Sequence, residues 1–264
     1  MGSVSASPRK VAIVTGAGTG VGAATARLLA GRGYDVLINY SRSHDAAEAV
    51  VAACRSAGAD AVAVQGDVAD DAQCRRVAQA AVARWGRIDA LVNSAGSTQF
   101  LPMSDLEAVD AAGFDRVVRV NALGPFQMVR AAAPSLRQAR GAVVNVSSIA
   151  SMTGNGSSYA YVASKAALNA LTLGLARNLA PHVRVNAVLP GFIEGRWLLE
   201  GLGSAAYEQV RQRFAGDSAL QTVCTPAQVA DAIGWLIDGA AIVTGQLITV
   251  DAGMTLGRPP TVGT

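Results

Sequence analysis

Seven short apolar runs, separated by longer alanine-rich stretches, constrain the fold of this chain more than any other feature. The runs are Val11–Thr15, Val36–Tyr40, Ala61–Gln65, Ala90–Asn93, Ala142–Ser147, Val183–Leu189 and Gln246–Val250. Apolar side chains fill them almost without alternation, the pattern of strands covered on both faces. Helices are expected between them near residues 20–31, 44–57, 70–84, 114–138, 158–179 and 226–237. Gly31 and Gly33 punctuate the first helix and Gly58 the second, and Thr225–Pro226 opens the last with a cap followed by proline. Repeated strand–helix alternation implies a parallel sheet with right-handed crossovers and helices on both faces. The expected fold class is therefore α/β, a single domain over 1–264 built as a doubly wound parallel sheet of about seven strands.

Two regions fall outside this rhythm. Residues 191–223 show no clean period and are long for a loop in a compact domain, which suggests a substrate lid. Residues 1–8 and 257–264 are small, polar or rich in Pro and Gly, and mobile ends are expected there.

Composition removes several function classes. Hydrophobic residues make up 51% of the 264 and charged residues 16%, which favours a large core over disorder. The formal net charge is +3, only Lys10 and Lys165 are lysines, and no cluster of like charge offers a nucleic-acid surface. Cys54, Cys74 and Cys224 are far apart and show no metal-ligand spacing. They read as thiols in a reducing compartment. The first ten residues, MGSVSASPRK, lack an apolar core, so no secretory signal is expected. No apolar run reaches the ~18 residues of a membrane span. A cytoplasmic protein is the expectation.

The first strand runs into Gly16-Ala17-Gly18-Thr19-Gly20-Val21-Gly22 and then a helix. Glycines let backbone N–H groups approach a diphosphate, and the helix N-terminus adds free donors and partial positive charge. Plain packing of a tight turn is the alternative. The second strand ends Asn39-Tyr40-Ser41-Arg42, with no acid before Asp45. A carboxylate there would suit the ribose hydroxyls of NAD, whereas Ser41 and Arg42 suit a 2′-phosphate, so NADP(H) is favoured and NAD(H) is the alternative. Asp67, at the end of the third strand, can accept from an adenine amino group or cap the helix beginning near Asp70. Small residues in Asn93-Ser94-Ala95-Gly96 let the backbone lie close to a ligand.

Tyr161 and Lys165 stand one helical turn apart in YVASK, with Ser147 and Ser148 upstream. A free phenol titrates near ~10, and a neighbouring ammonium is expected to lower that value and ready the hydroxyl for proton exchange. A surface tyrosine beside a solvated lysine is the plainer reading. Tyr159 has Ala163 four residues on, so only Tyr161 has the lysine. Ser147 and Ser148 point to opposite faces of a strand.

In order and spacing, TGAGTGVG (15–22), GDV (66–68), NSAG (93–96), Asn121, SS (147–148), YVASK (161–165), PG (190–191) and VTGQLITVDAG (243–253) resemble the short-chain dehydrogenase/reductase family, across nearly the whole chain. The resemblance implies a Rossmann sheet in a homodimer or homotetramer. It makes Tyr161 the general acid/base, Lys165 its partner and a ligand of the nicotinamide ribose, and Ser148 the holder of the substrate oxygen. Asn121 would complete a water-linked relay through Lys165. Gly16, Gly18, Thr19, Gly20, Val21 and Gly22 would cradle the diphosphate, with Tyr40, Ser41 and Arg42 at the adenosine ribose. Asp67 and Val68 would meet adenine, Asn93, Ala95 and Gly96 the adjacent ribose, and Pro190, Gly191 and Ile193 the nicotinamide. Gly195 stands where the family usually has a carboxamide-binding threonine, VDAG replaces VDGG, and Thr19 replaces the Arg or Lys of many NADP-binding relatives.

The implied activity interconverts a carbonyl and a secondary alcohol. PGFIE (190–194) resembles the 3-oxoacyl-(acyl-carrier-protein) reductase group, which suggests an acyl thioester substrate. Trp197, Leu198, Leu199 and Phe214 in the lid suit an apolar substrate, or pack the lid or a subunit interface. The alternatives are an NAD-dependent alcohol, sugar or steroid dehydrogenase and a non-catalytic nucleotide-binding regulator.

Overall fold

The computed structural model describes residues 9–258. Residues 1–8 and 259–264, which include most of the expected mobile ends, lie outside the described residues. Arg258 is described, and its Nε donates to Asp217 Oδ1 at 2.8 Å.

β1 (Lys10–Thr15), β2 (Tyr34–Tyr40), β3 (Ala61–Gln65), β4 (Ala90–Asn93), β5 (Ala142–Val146), β6 (Arg184–Pro190) and β7 (Leu247–Val250) form one sheet. Its order is β3-β2-β1-β4-β5-β6-β7, and every neighbouring pair is parallel. Strand side chains alternate between two cores. Ala12, Val14, Val36, Ile38, Ala90 and Val92 face one side, while Val11, Ile13, Leu37 and Leu91 face the other. The period of two thus survives with both faces apolar, as a doubly covered sheet requires.

Helices α1 (Gly20–Gly31) and α2 (His44–Ser56) cover the first side. The second side is covered by α3 (Asp71–Trp85), by α5 (Gly124–Ala139), which follows α4 (Ala111–Val118), and by α7 (Tyr159–Leu179), which follows the single turn α6 (Ala150–Thr153). Beyond β6 lie α8 (Arg196–Leu202) and α9 (Ser204–Asp217), and then α10 (Pro226–Gly234), which returns to the first side. No helix among the described residues is long and apolar enough to cross a membrane.

Two expectations need correction. The helix expected over 114–138 is interrupted by a π turn at Arg119–Leu123. Pro125 has no N–H to close an i→i−4 bond onto the carbonyl of Asn121, so the regular ladder fails at that point. The lid segment 191–223 is mostly α8 and α9 rather than irregular chain. Its charges pair at helical spacing, with Arg196–Glu200 at 2.7 Å and Arg211–Glu208 at 2.8 Å. Neither helix buries a residue fully, so an apolar period is weak by construction.

Leu136 is wholly buried on α5, whereas Leu106 is 70% exposed. Leu136→Ala is expected to cost about 2–5 kcal/mol of unfolding free energy and Leu106→Ala no more than ~0.5 kcal/mol. Urea melts of the two variants check this contrast.

Candidate active site

The winding of the parallel sheet changes direction between β1 and β4, which opens a crevice at their C-terminal ends. The Thr15 hydroxyl accepts the backbone N–H of both Ser94 and Ala95 at 3.1 Å and so clamps the two strand ends together. Gly16 follows with φ +61°, and a Cβ there would lie 2.7 Å from the Ala95 Cα. A Cβ on Gly22 would lie 2.6 Å from the Gly16 carbonyl oxygen. The turn closes only with glycine at both places. Thr19 caps α1 in an extended conformation without a side-chain bond to the helix, and no acid stands in the first turn. These features fit a diphosphate, because backbone donors face the crevice and no side chain fills it.

One cleft is lined by Gly16, Asn39, Ser41, Arg42, Gly66 and Asp67 and, across it, by Val68, Ala95, Gly96, Ser97, Arg116 and Val120. Seven residues expected at a nucleotide meet there: Gly16, Ser41, Arg42, Asp67, Val68, Ala95 and Gly96. Asp67 does not cap α3, a role that falls to Asp70, which accepts from Gln73 N at 3.1 Å. Asp67 instead accepts from Ala69 N at 3.0 Å and pairs with Arg116 at 3.0 Å. Sequence reading missed Arg116, whose helical position shows no sign that α4 crosses the strand ends. It also missed Asn39, whose Nδ2 donates to the carbonyls of Val64 (3.2 Å) and Gly66 (3.0 Å).

Other expected nucleotide ligands sit elsewhere. Val21 belongs to the core. Gly18 and Thr19 lie in the loop before α1, Gly20 opens that helix, and Tyr40 packs edge-on against His44 at 5.5 Å. Asn93 turns into the sheet, where its Nδ2 donates to Asn145 Oδ1 at 2.9 Å and Asn145 Nδ2 donates to Thr172 Oγ1 at 2.9 Å. That buried chain ties β4, β5 and α7. Pro190 ends β6 and Gly191 follows it, with the Gly191 N–H donating to Val250 O at 3.0 Å, and Ile193 bridges to Cys224. Gly195 has φ +143° and offers no side chain where the resemblance expects a threonine.

β5 and α7 bring the catalytic candidates together. The Ser147 hydroxyl turns into the fold and donates to Lys165 O at 3.3 Å, while the Ser148 hydroxyl accepts the Ala150 N–H at 3.2 Å and stands beside the Tyr161 phenol. The Ser158 hydroxyl caps α7 through the Tyr161 N–H at 3.2 Å and so fixes Tyr161 in its first turn. Tyr159 points outward and donates to Met103 O at 3.0 Å. Lys165 Nζ lies 5.7 Å from the centre of the Tyr161 ring and donates to Val146 O at 2.7 Å.

Asn121 is fully buried at the π turn. Its Oδ1 accepts Ser97 N at 2.8 Å, and its Nδ2 donates to Ser97 O at 2.8 Å and to Ser164 Oγ at 3.0 Å. Ser164 in turn donates to Tyr161 O at 2.7 Å. The Asn121 side chain therefore holds the β4 loop against α7, and its hydrogen bonds go to Ser97 and Ser164 rather than to Lys165.

The electrostatics differ from expectation. Burial raises the Tyr161 phenol above its ordinary value, and the Ser148 hydroxyl only partly opposes that rise. Burial also lowers the Lys165 ammonium from 10.5 to about 8. Desolvation disfavours the charged form of both groups, and that effect outweighs the attraction expected between them.

A measurable pH dependence follows from Lys165. Its folded-state value lies below its unfolded one, so the cost of burying its charge is fully present below about pH 8 and is relieved as pH rises toward 10.5. Between pH 8 and 10, the wild type is expected to gain stability relative to Lys165→Met, read from urea melts at each pH. Parallel curves would show that no buried ammonium is being titrated.

Comparison with known proteins agrees with this geometry. Residues 10–199 match the model of the short chain dehydrogenase family. The chain is 38% identical over 247 residues to a protein of Streptomyces violaceoruber described as ketoacyl reductase 2 of the granaticin polyketide synthase, covering 93% of this chain and 96% of the relative. It is 36% identical over 251 residues to a 3-oxoacyl-(acyl-carrier-protein) reductase of Staphylococcus aureus, covering 93% and 98% of the two chains. A solved structure from Burkholderia xenovorans, assigned to the short-chain dehydrogenase/reductases, superposes with a TM-score of 0.88 at 42% identity and covers 96% of this chain and all of that one. A xylitol dehydrogenase bound to NAD+ superposes at 0.84 with 29% identity, covering 92% and 98%. With its parallel sheet, glycine turn and Ser–Tyr–Lys grouping, the chain belongs to the short-chain dehydrogenase/reductase family of oxidoreductases.

Proposed function

We propose that this protein is an NADP(H)-dependent oxidoreductase that interconverts a ketone and a secondary alcohol, with 3-oxoacyl thioesters as the first substrate class to test. The observation that carries the reading is the position of Tyr161, half-buried beside the Ser148 hydroxyl and the Lys165 ammonium.

Bound NADPH supplies the hydride. Tyr161 keeps its proton at neutral pH because burial raises its pKa, and it therefore serves as the donor to a carbonyl oxygen during reduction. Ser148, beside the phenol, is placed to hydrogen-bond the same oxygen as negative charge develops on it. Lys165 stabilises the phenolate left behind and holds its place through the Val146 carbonyl. Asn121 positions Ser97 and α7, and any water-linked relay through it would use its backbone carbonyl, which Pro125 cannot engage.

Ser41 and Arg42 line the cleft, whereas its one acid, Asp67, is already paired with Arg116. This arrangement supports NADP(H). The NAD+ in the xylitol dehydrogenase keeps NAD(H) as the second reading. The thioester substrate rests on the two ketoacyl reductase relatives. It draws no support from the lid arginines, because Arg196 and Arg211 are paired with Glu200 and Glu208 rather than free for an acidic carrier. Exposed Leu123 and Leu173, beside α5 and on α7, support a homodimer or homotetramer. The three free, buried cysteines support a cytoplasmic setting.

NADPH and NADH oxidation should be followed with acetoacetyl thioesters, small ketones, sugars and steroids. Tyr161→Phe is expected to lose about 10²–10⁴-fold in turnover while calorimetry finds NADPH binding retained. Full activity in that variant would remove Tyr161 from the chemistry. Arg42→Ala should weaken NADPH by about 10- to 100-fold and leave NADH nearly unchanged. Equal weakening of both nucleotides would remove the 2′-phosphate from the account.

A further inference from the structure

The lid places one large side chain beside the Tyr161 ring. Trp197, in the first turn of α8, stands edge-on to Tyr161 with ring centres 6.4 Å apart and planes at 81°. Its other flank reaches the opposite wall, where a Cβ added to Gly96 would lie 3.3 Å from Trp197 Cη2. The indole therefore spans the space between the end of β4 and the catalytic helix. Gly201, one turn beyond, packs so closely on Phe100 that a Cβ there would overlap the ring, which anchors α8 in that position.

A structural role does not account for this indole. Trp197 is 49% exposed and α8 buries no residue fully. The side chain adds little to the core, yet it stands between the Tyr161 ring and Gly96.

We propose that Trp197 is a specificity-determining residue whose ring walls one side of the substrate carbonyl and admits only a small substituent, such as methyl, there. The inference rests on the carbonyl-reductase reading above and extends it to substrate class: unbranched ketones with one slender arm. A flat apolar wall beside Tyr161 rejects a bulky group by overlap, and an apolar pocket changed in size shifts preference by about 10- to 200-fold.

The test measures kcat/KM with NADPH for two ketones that share one alkyl arm, one carrying methyl and the other isopropyl or phenyl on the second side. Wild type is expected to prefer the methyl ketone. Trp197→Ala should move the bulky-to-small ratio upward by at least about tenfold, and Trp197→Phe by less. NADPH affinity by calorimetry should stay within about twofold, which separates a substrate wall from a damaged cofactor site. Melting temperatures report folding, and Trp197→Leu repeats the comparison if the alanine variant does not fold. An unchanged ratio in folded variants overturns the assignment while leaving the reductase reading intact. Nucleotide binding without oxidation of any substrate by wild type would instead overturn the reductase reading, and this inference with it.

Discussion

The hydroxyl of Thr15 accepts two successive backbone N–H groups from the end of β4, and the rest of the site depends on that clamp. It sets how close β1 and β4 run where the sheet changes winding direction. Gly16 can then press its backbone against Ala95, and α1 can begin with its first N–H groups open to the crevice. A longer side chain at residue 16 would separate the two strand ends and with them the cleft lining from Ser41 to Gly96. Binding geometry here is a consequence of backbone contact more than of any polar side chain.

Electrostatics supply the second constraint. Lys165 is buried and Tyr161 half-buried, and desolvation acts in opposite directions on an acid that ionises to an anion and a base that ionises to a cation. The phenol is held protonated and the ammonium is brought toward neutrality. A proton held near pH 8 on one group and firmly on the other suits transfer to a nascent alkoxide better than a standing phenolate would.

Much of this was legible in the sequence. The strands were visible because nearly uniform apolar runs bounded by glycine have few other solutions, and the spacing of Tyr161 from Lys165 needed only a helix. The family resemblance singled out Ser148 over Ser147, and the hydrogen bond from Ser147 to Lys165 O accounts for the other serine. The rest depended on tertiary placement. Asn93 and Asn145 pair beneath the surface, so a residue in a ligand-binding motif turned out to join strands. Arg116 reaches Asp67 only because α4 crosses the strand ends. The lid helices stayed hidden because surface helices pinned by ion pairs have no apolar stripe to read.

Asn121 gives the molecule a further property. One amide grips both the N–H and C=O of Ser97 beside the cleft, and through Ser164 it grips the carbonyl of Tyr161. Each link along that path is a direct hydrogen bond. The loop after β4 and the turn carrying the phenol are therefore held in one fixed relation. One buried amide thus joins the two walls of the crevice.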